Sequence, residues 1–394
     1  MIHKKKGRKI LFMVGFLLSA TSLVFSFGFD FGLGIQPTSD NGFVFVGFTD
    51  SHSYGKYDFM IYKLNENGDM IWSTNLGGNN NDIAFSVQQT SDGGFIVAGL
   101  TESFTNGKSD FLVYKLSATG EILWRKNYGG SNDDFAISIK EKPWGGYIVA
   151  GSSFSYSNGK SDFLVYSLDD QGNVGWFNHY GGPEQEQACS ILITSDGYIL
   201  AGTSSSYTNG SHDFLVYKLS PRGSIVWRKN YGGSGWEEAS SIQQTSDNGY
   251  ILLGSTRSFI PGKTQYLVYK TNSTGDILWS KNLGCTQGGE SFGTSVLETD
   301  NGYVLAGNAF HPNNPINQCF VLFNLDTQGN LRWERMYGGD LWDETNTLCQ
   351  THDGNIVIAG ASFSYSNSFG MPDFLMYKVT GTTGDEIYRK NFGE

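Results

Sequence analysis

A tryptophan recurs along this chain at a nearly constant interval. It stands at Trp72, Trp124, Trp176, Trp227, Trp279 and Trp333, with Tyr388 in the seventh place, at spacings of 52, 52, 51, 52, 54 and 55 residues. Around each lies a variant of the segment from Ser109 to Gly130, SDFLVYKLSATGEILWRKNYGG. Such a period means that one supersecondary unit is repeated and that each copy buries its apolar faces against its neighbours. A length of 394 residues would ordinarily suggest two or three domains. Seven copies arranged in a ring form one, expected over residues 27–394.

The second copy reads as four strands: Ala84 to Thr90, Phe95 to Gly99, Asp110 to Leu116 and Ile122 to Tyr128. Ser91-Asp92-Gly93-Gly94 joins the first two and Thr119-Gly120-Glu121 the last two, supplying the positive φ that tight hairpins need. In the third strand Phe111, Leu112, Val113, Tyr114 and Leu116 make both alternating faces apolar, so the sheet must be covered on both sides. The first strand carries small residues at alternate positions, from Gly32/Gly34 through Ala84/Ser86 to Thr345/Thr347, where wedge-shaped sheets would crowd together. With 52 glycines and only 16% charged residues, short strands and tight turns are favoured over helices. These features predict an all-β chain, a seven-bladed β-propeller of four-stranded antiparallel blades.

The run from Tyr114 to Trp124, YKLSATGEILW, resembles the repeat of bacterial secreted quinoprotein-type (PQQ-like) β-propellers, in which a Thr-Gly turn is followed four residues later by a docking tryptophan. The likeness runs through nearly the whole mature chain and implies the propeller fold. Two departures separate the chain from a quinone-cofactor dehydrogenase: seven copies rather than eight, and no adjacent cysteine pair. No cofactor is expected. Because the copies are whole, from Asp30 to Phe392-Gly393, closure is expected by packing of the first blade on the last, unless residues 23–29 contribute a strand.

The first 26 residues stand apart. Lys4, Lys5, Lys6, Arg8 and Lys9 precede an apolar run from Ile10 to Leu18 and then Ala20-Thr21-Ser22, the pattern of a secretory signal peptide, with a second possible cut after Ser26. The apolar run is short for an uncleaved membrane anchor. Without this segment 22 Lys and Arg face 38 Asp and Glu, a charge of −16 that disfavours nucleic acid as a partner. The six histidines fall at unrelated repeat positions with no metal-ligand spacing, so no metal site is expected. The mature chain is expected to be a monomer without a transmembrane domain, secreted, periplasmic or at the cell surface.

Antiparallel order puts the link between blades on the same rim as the loop between second and third strands, and longer loops there favour that rim for binding. A carboxylate precedes the first strand in nearly every copy: Asp30, Asp82, Asp134, Glu186, Glu237 and Asp343, with Glu290 one place out of register. It reads either as an acidic ring at a channel mouth or as a latch accepting backbone N–H bonds in each inter-blade turn. Trp236-Glu237-Glu238 and Trp342-Asp343-Glu344 break the symmetry and pair an indole with two carboxylates, a combination suited to stacking on a sugar ring and accepting its hydroxyls. Blade six carries an extended loop from His311 to Gln318. In that blade Cys285 and Cys319 share one rim, and a disulfide between them suits an exported protein. Cys189 and Cys349 map to first strands as buried singletons. No catalytic constellation stands out. The residues point to a binding module for a glycan or a protein; a polymer-active enzyme using rim carboxylates and a structural envelope component are the alternatives.

Overall fold

The computed structural model describes residues 30–392 except 51, 52, 54, 106, 287, 312, 313 and 367–371, and no side chain of residues 314–316. The expected signal segment, and any strand from residues 23–29, lie outside these. Every regular element among the described residues is a strand, and no helix there is long and apolar enough to cross a membrane. Strands group in chain order into seven antiparallel sheets of four. The first strand of each sheet touches the first strand of the next, all round and back from blade seven to blade one, so first strands surround the axis. The chain is a seven-bladed β-propeller.

In blade two the strands are Asp82–Gln89, Phe95–Thr101, Asp110–Leu116 and Ile122–Tyr128. The first starts two residues earlier than the small-residue pattern suggests, because Asp82 itself pairs with Thr101 at the sheet end. The small pairs turn out to flank a β-bulge: Ala84 and Ser86 bracket one in blade two, and the equivalent shift occurs in all seven blades. A short side chain there also reaches the next blade, since Ser86 Oγ accepts from the Ile139 amide at 3.2 Å and Ser241 Oγ from the Val296 amide at 3.3 Å. Blade six departs from expectation in its long segment. Instead of a loop from His311 to Gln318, the second and third strands lengthen to Gly302–His311 and Asn314–Leu325, with Phe310 paired to Gln318 and His311 to Asn314.

The repeated tryptophan fastens one blade to the next. Trp124 Nε1 donates to the Asp170 carbonyl in the following blade's hairpin at 3.1 Å, and its ring lies on Gly172. That glycine has φ +76°, and a Cβ would stand 3.0 Å from the indole, so the turn needs glycine twice over. Tyr128 Oη reaches the Gly172 carbonyl at 2.6 Å. Trp72, Trp279 and Trp333 donate likewise to Ala118, Thr327 and Thr382. Tyr388 closes the ring, donating to the Glu66 carbonyl at 3.1 Å beside a 2.8 Å Lys390–Asp69 ion pair, while Phe45 packs edge-on against Phe374 at 4.5 Å. Each described sheet is built from its own copy alone, so the ring closes by side-chain packing.

On the hairpin rim a second device recurs. A lysine in the otherwise apolar third strand, Lys63, Lys115, Lys218, Lys270 or Lys378, is largely buried and reaches the aspartate of the first turn, respectively Asp40, Asp92, Asp196, Asp247 or Asp353. Blade three reverses the parts: Ser167 stands in the strand, and Lys142 of the turn reaches its hydroxyl at 3.0 Å. Burial alone would raise Asp92, but hydrogen bonds from Thr90, Lys115 and the Gly94 amide outweigh it and hold the carboxyl at about 2; Asp40 and Asp247 are held at about 2 in the same way. A carboxyl held below its ordinary 3.8 stabilises the fold fully above that value and loses its contribution as pH falls toward 2. The urea midpoint is therefore expected to fall between about pH 4 and pH 2. Asp92→Ala, which strands a buried ammonium, should cost about 2 kcal/mol at pH 6 and little at pH 2. An equal loss at both pH values would contradict the clasp.

Candidate functional site

The loop-bearing rim is built from the links between blades and the loops joining second to third strands. The four links from blade one to blade five are each held by a pair of glycines and two carboxylates, whereas Gly284 of the next link meets Gln265 and Gly338 of the last meets Asp343 and Cys319. After Tyr128 the chain passes Gly129, where a Cβ would lie 2.2 Å from Asp110 Oδ1 and 2.9 Å from Asp134 Oδ2, so only hydrogen fits between the two acids. Asp134 Oδ2 accepts the Gly130 amide at 2.8 Å.

The carboxylates that open the first strands are almost entirely inside the protein. Asp30, Asp82, Asp134, Glu186, Glu237 and Asp343 are all buried. Asp82 Oδ2 accepts from the Gly78 amide at 2.8 Å and Ser103 Oγ at 2.7 Å. Glu186 takes the Gly182 amide and Ser204 Oγ, both at 2.7 Å. Glu237 takes the Gly233 amide and Thr256 Oγ1, both at 2.7 Å, together with Ser258 Oγ. Asp343 takes the Gly339 amide and Ser364 Oγ, both at 2.7 Å, and Ser362 Oγ. Burial raises Asp82 and Asp213 above the ordinary carboxylate value, against hydrogen bonds that lower them. In blade six Ser291 occupies the buried position, and half-buried Glu290 lies one residue ahead, its carbonyl accepting the Phe310 amide at 2.9 Å.

This geometry divides the two symmetry-breaking triplets. Glu237 and Asp343 have their oxygens turned into the links. Glu238 points to the neighbouring blade, where its charge adds to burial in pushing the Cys189 thiol to about 12. Burial lifts the Glu344 carboxyl to about 7. Trp342 is half-buried against Phe363 at 5.5 Å and joins an apolar cluster with Phe31, Ile83 and Phe135, which ties blade seven to blades one to three. Trp236 is different. Arg257 stands over its ring at 5.2 Å, braced by Nε donation to Thr264 Oγ1 at 2.9 Å, and the same loop exposes Phe259 and Ile260 by 50% and 39%. Blade six separates this patch from Trp342, so the structure does not join the triplets into one site. Reading from the sequence missed Arg257, Phe259 and Ile260. Their signal was the replacement of the Ser-x-Ser/Thr-Asn-Gly loop of blades two to four by Arg-Ser-Phe-Ile-Pro-Gly.

Both cysteines of the expected disulfide pack in the apolar core of blade six, where Cys285 Sγ lies 3.2 Å from Glu334 Oε1 and Cys319 Sγ lies 3.4 Å from the Ala309 carbonyl. Burial pushes the Cys319 thiol up to about 12. Among the described residues no group of three His, Cys, Asp or Glu side chains is placed to hold a metal ion.

No protein-family model and no curated protein matches the sequence. Solved structures do. A putative 6-phosphogluconolactonase from Bacteroides fragilis superimposes with a TM-score of 0.56 at 15% identity, covering 91% of this chain and 97% of that one. The Dos1 propeller aligns at 0.53 and 13%, over 93% and 85%. A puromycin hydrolase mutant aligns at 0.58 and 12% over 92% of this chain, which spans only 53% of the hydrolase. At such identities the likeness extends to the propeller fold alone, and the narrower quinoprotein resemblance reduces to a propeller resemblance. The link geometry gives its own test. Glu237→Ala should lower stability by about 3 kcal/mol by leaving the Gly233 amide and two hydroxyls unsatisfied. A thermal midpoint equal to wild type would contradict the latch.

Proposed function

We propose that the protein is a secreted or cell-surface propeller that binds a glycan or protein on its loop-bearing rim and does not catalyse a reaction. The observation that carries this reading is the blade-five patch. An indole braced by an arginine, beside two exposed apolar side chains, offers a stacking face, hydrogen-bond donors and apolar area in one place. The buried rim acids Asp82, Glu186, Glu237 and Asp343 are already engaged inside the links. The N-terminal basic and apolar segment supports export.

Glu344 favours a second reading, a carbohydrate-active enzyme. A carboxyl lifted to about 7 suits a general acid. One experiment separates the two. Protein recovered from the culture medium, with an N-terminus near residue 23 or 27, is applied to a glycan array and a hydrolase panel. Binding without turnover, weakened about tenfold or more by Trp236→Ala, is the expected result. Turnover abolished by Glu344→Gln would overturn the binding-only reading.

A further inference from the structure

At the opposite end of the axis the first strands run into the short hairpins, and there the repeat places glutamine at one register: Gln36, Gln88 and Gln243 in blades one, two and five. Each uses its side-chain oxygen to stitch blades together. Gln88 Oε1 accepts the Glu141 amide at 2.8 Å and Gln243 Oε1 the Glu298 amide at 2.6 Å. A backbone N–H needs an acceptor, so the amide orientation is fixed and the NH2 group is what remains to face the channel. In blade three the same register holds Lys140.

Lys140 cannot make the stitch, because an ammonium has no lone pair to offer. Its Nζ has no hydrogen-bond or ion-pair partner among the described residues. The adjoining acid is occupied elsewhere: Glu141 accepts from the Ser91 amide at 2.7 Å and Ser91 Oγ at 2.8 Å. Burial lowers the Lys140 ammonium below its ordinary value with no neighbouring charge to offset it. Lys140, Gln88 and Gln243 line one cavity of about 350 Å3, walled on the apolar side by Leu192 and Pro143. Glu141, its carboxylate held by Ser91, and Gln244 also line the space. Lys140 is the one cation among its described lining residues, beside the side-chain amides of Gln88 and Gln243, whose oxygens are committed to backbone N–H groups, and the space is large enough for a small multi-atom ligand.

We propose that this end of the channel binds a small anion of carboxylate or phosphate chemistry, held by Lys140 Nζ and the side-chain amides of Gln88 and Gln243. The chain as a whole is strongly acidic, so attraction to an anion here is local to these donors and not a property of the surface. The site lies on the rim opposite the blade-five patch and is independent of it.

The test is calorimetric titration of the mature chain, in a low-salt buffer, with inorganic phosphate and separately with succinate. Saturable binding of at least one is expected, weakened about tenfold or more in Lys140→Gln. That substitution restores the residue that blades two and five carry at this register, and an unchanged thermal midpoint confirms its fold. Gln243→Leu, which copies Leu192 of blade four, should weaken binding by a smaller factor. Phosphate-only or succinate-only binding assigns the chemistry. No saturable heat with either anion, or equal affinity in Lys140→Gln, would overturn the proposal.

Discussion

The docking of each blade's aromatic side chain onto the next blade's last hairpin is the interaction that makes seven short sheets one molecule. A single four-stranded sheet that is apolar on both faces has no means of shielding itself from water. The tryptophan supplies apolar area, a hydrogen bond to a hairpin carbonyl and a shape that only glycine in the left-handed region can receive. Every blade is thus donor to one neighbour and receiver from the other. Tyr388 repeats the act on Glu66 and so turns a stack into a closed ring.

The same economy governs the loop-bearing rim. There a buried carboxylate, rather than an indole, gathers the amides and hydroxyls left over where the chain leaves one blade and enters another. Side chains present in every blade are engaged in holding blades together, so recognition has to rest on positions where a blade differs. Blade five exposes apolar side chains beside Trp236 and Arg257, blade seven carries Glu344 with its carboxyl lifted to about 7, and blade three places Lys140 where blades one, two and five have glutamine. These departures lie at different heights and azimuths of the ring.

The architecture was legible because its causes are local and repeated. The Trp period, the Gly turns and the two-faced apolar third strand each specify one blade, and seven repetitions leave little choice of fold. The site was less legible. Glu237 and Glu238 are adjacent in sequence, yet strand alternation buries the first in the link and turns the second toward Cys189, a division no pattern of residue types reveals. For a related reason, sharing a rim does not by itself set the direction of a side chain: Cys285 Sγ lies beside Glu334. His311 to Gln318 looked like a loop because of its Pro and Asn content, but the strand pairing of blade six extends into it. The lysine clasp was readable in principle, since a lone lysine in an apolar strand demands an acid within reach.

If inter-blade docking carries the stability of the whole, equilibrium unfolding of a chain lacking blade seven, residues 340–394, tests it most directly. Removing that blade leaves Trp333 without its glycine and blade one without its neighbour. The account predicts that the truncated chain loses the cooperative urea transition of the intact protein. A single transition at the wild-type midpoint would show instead that the blades are stable without a closed ring, and would contradict it.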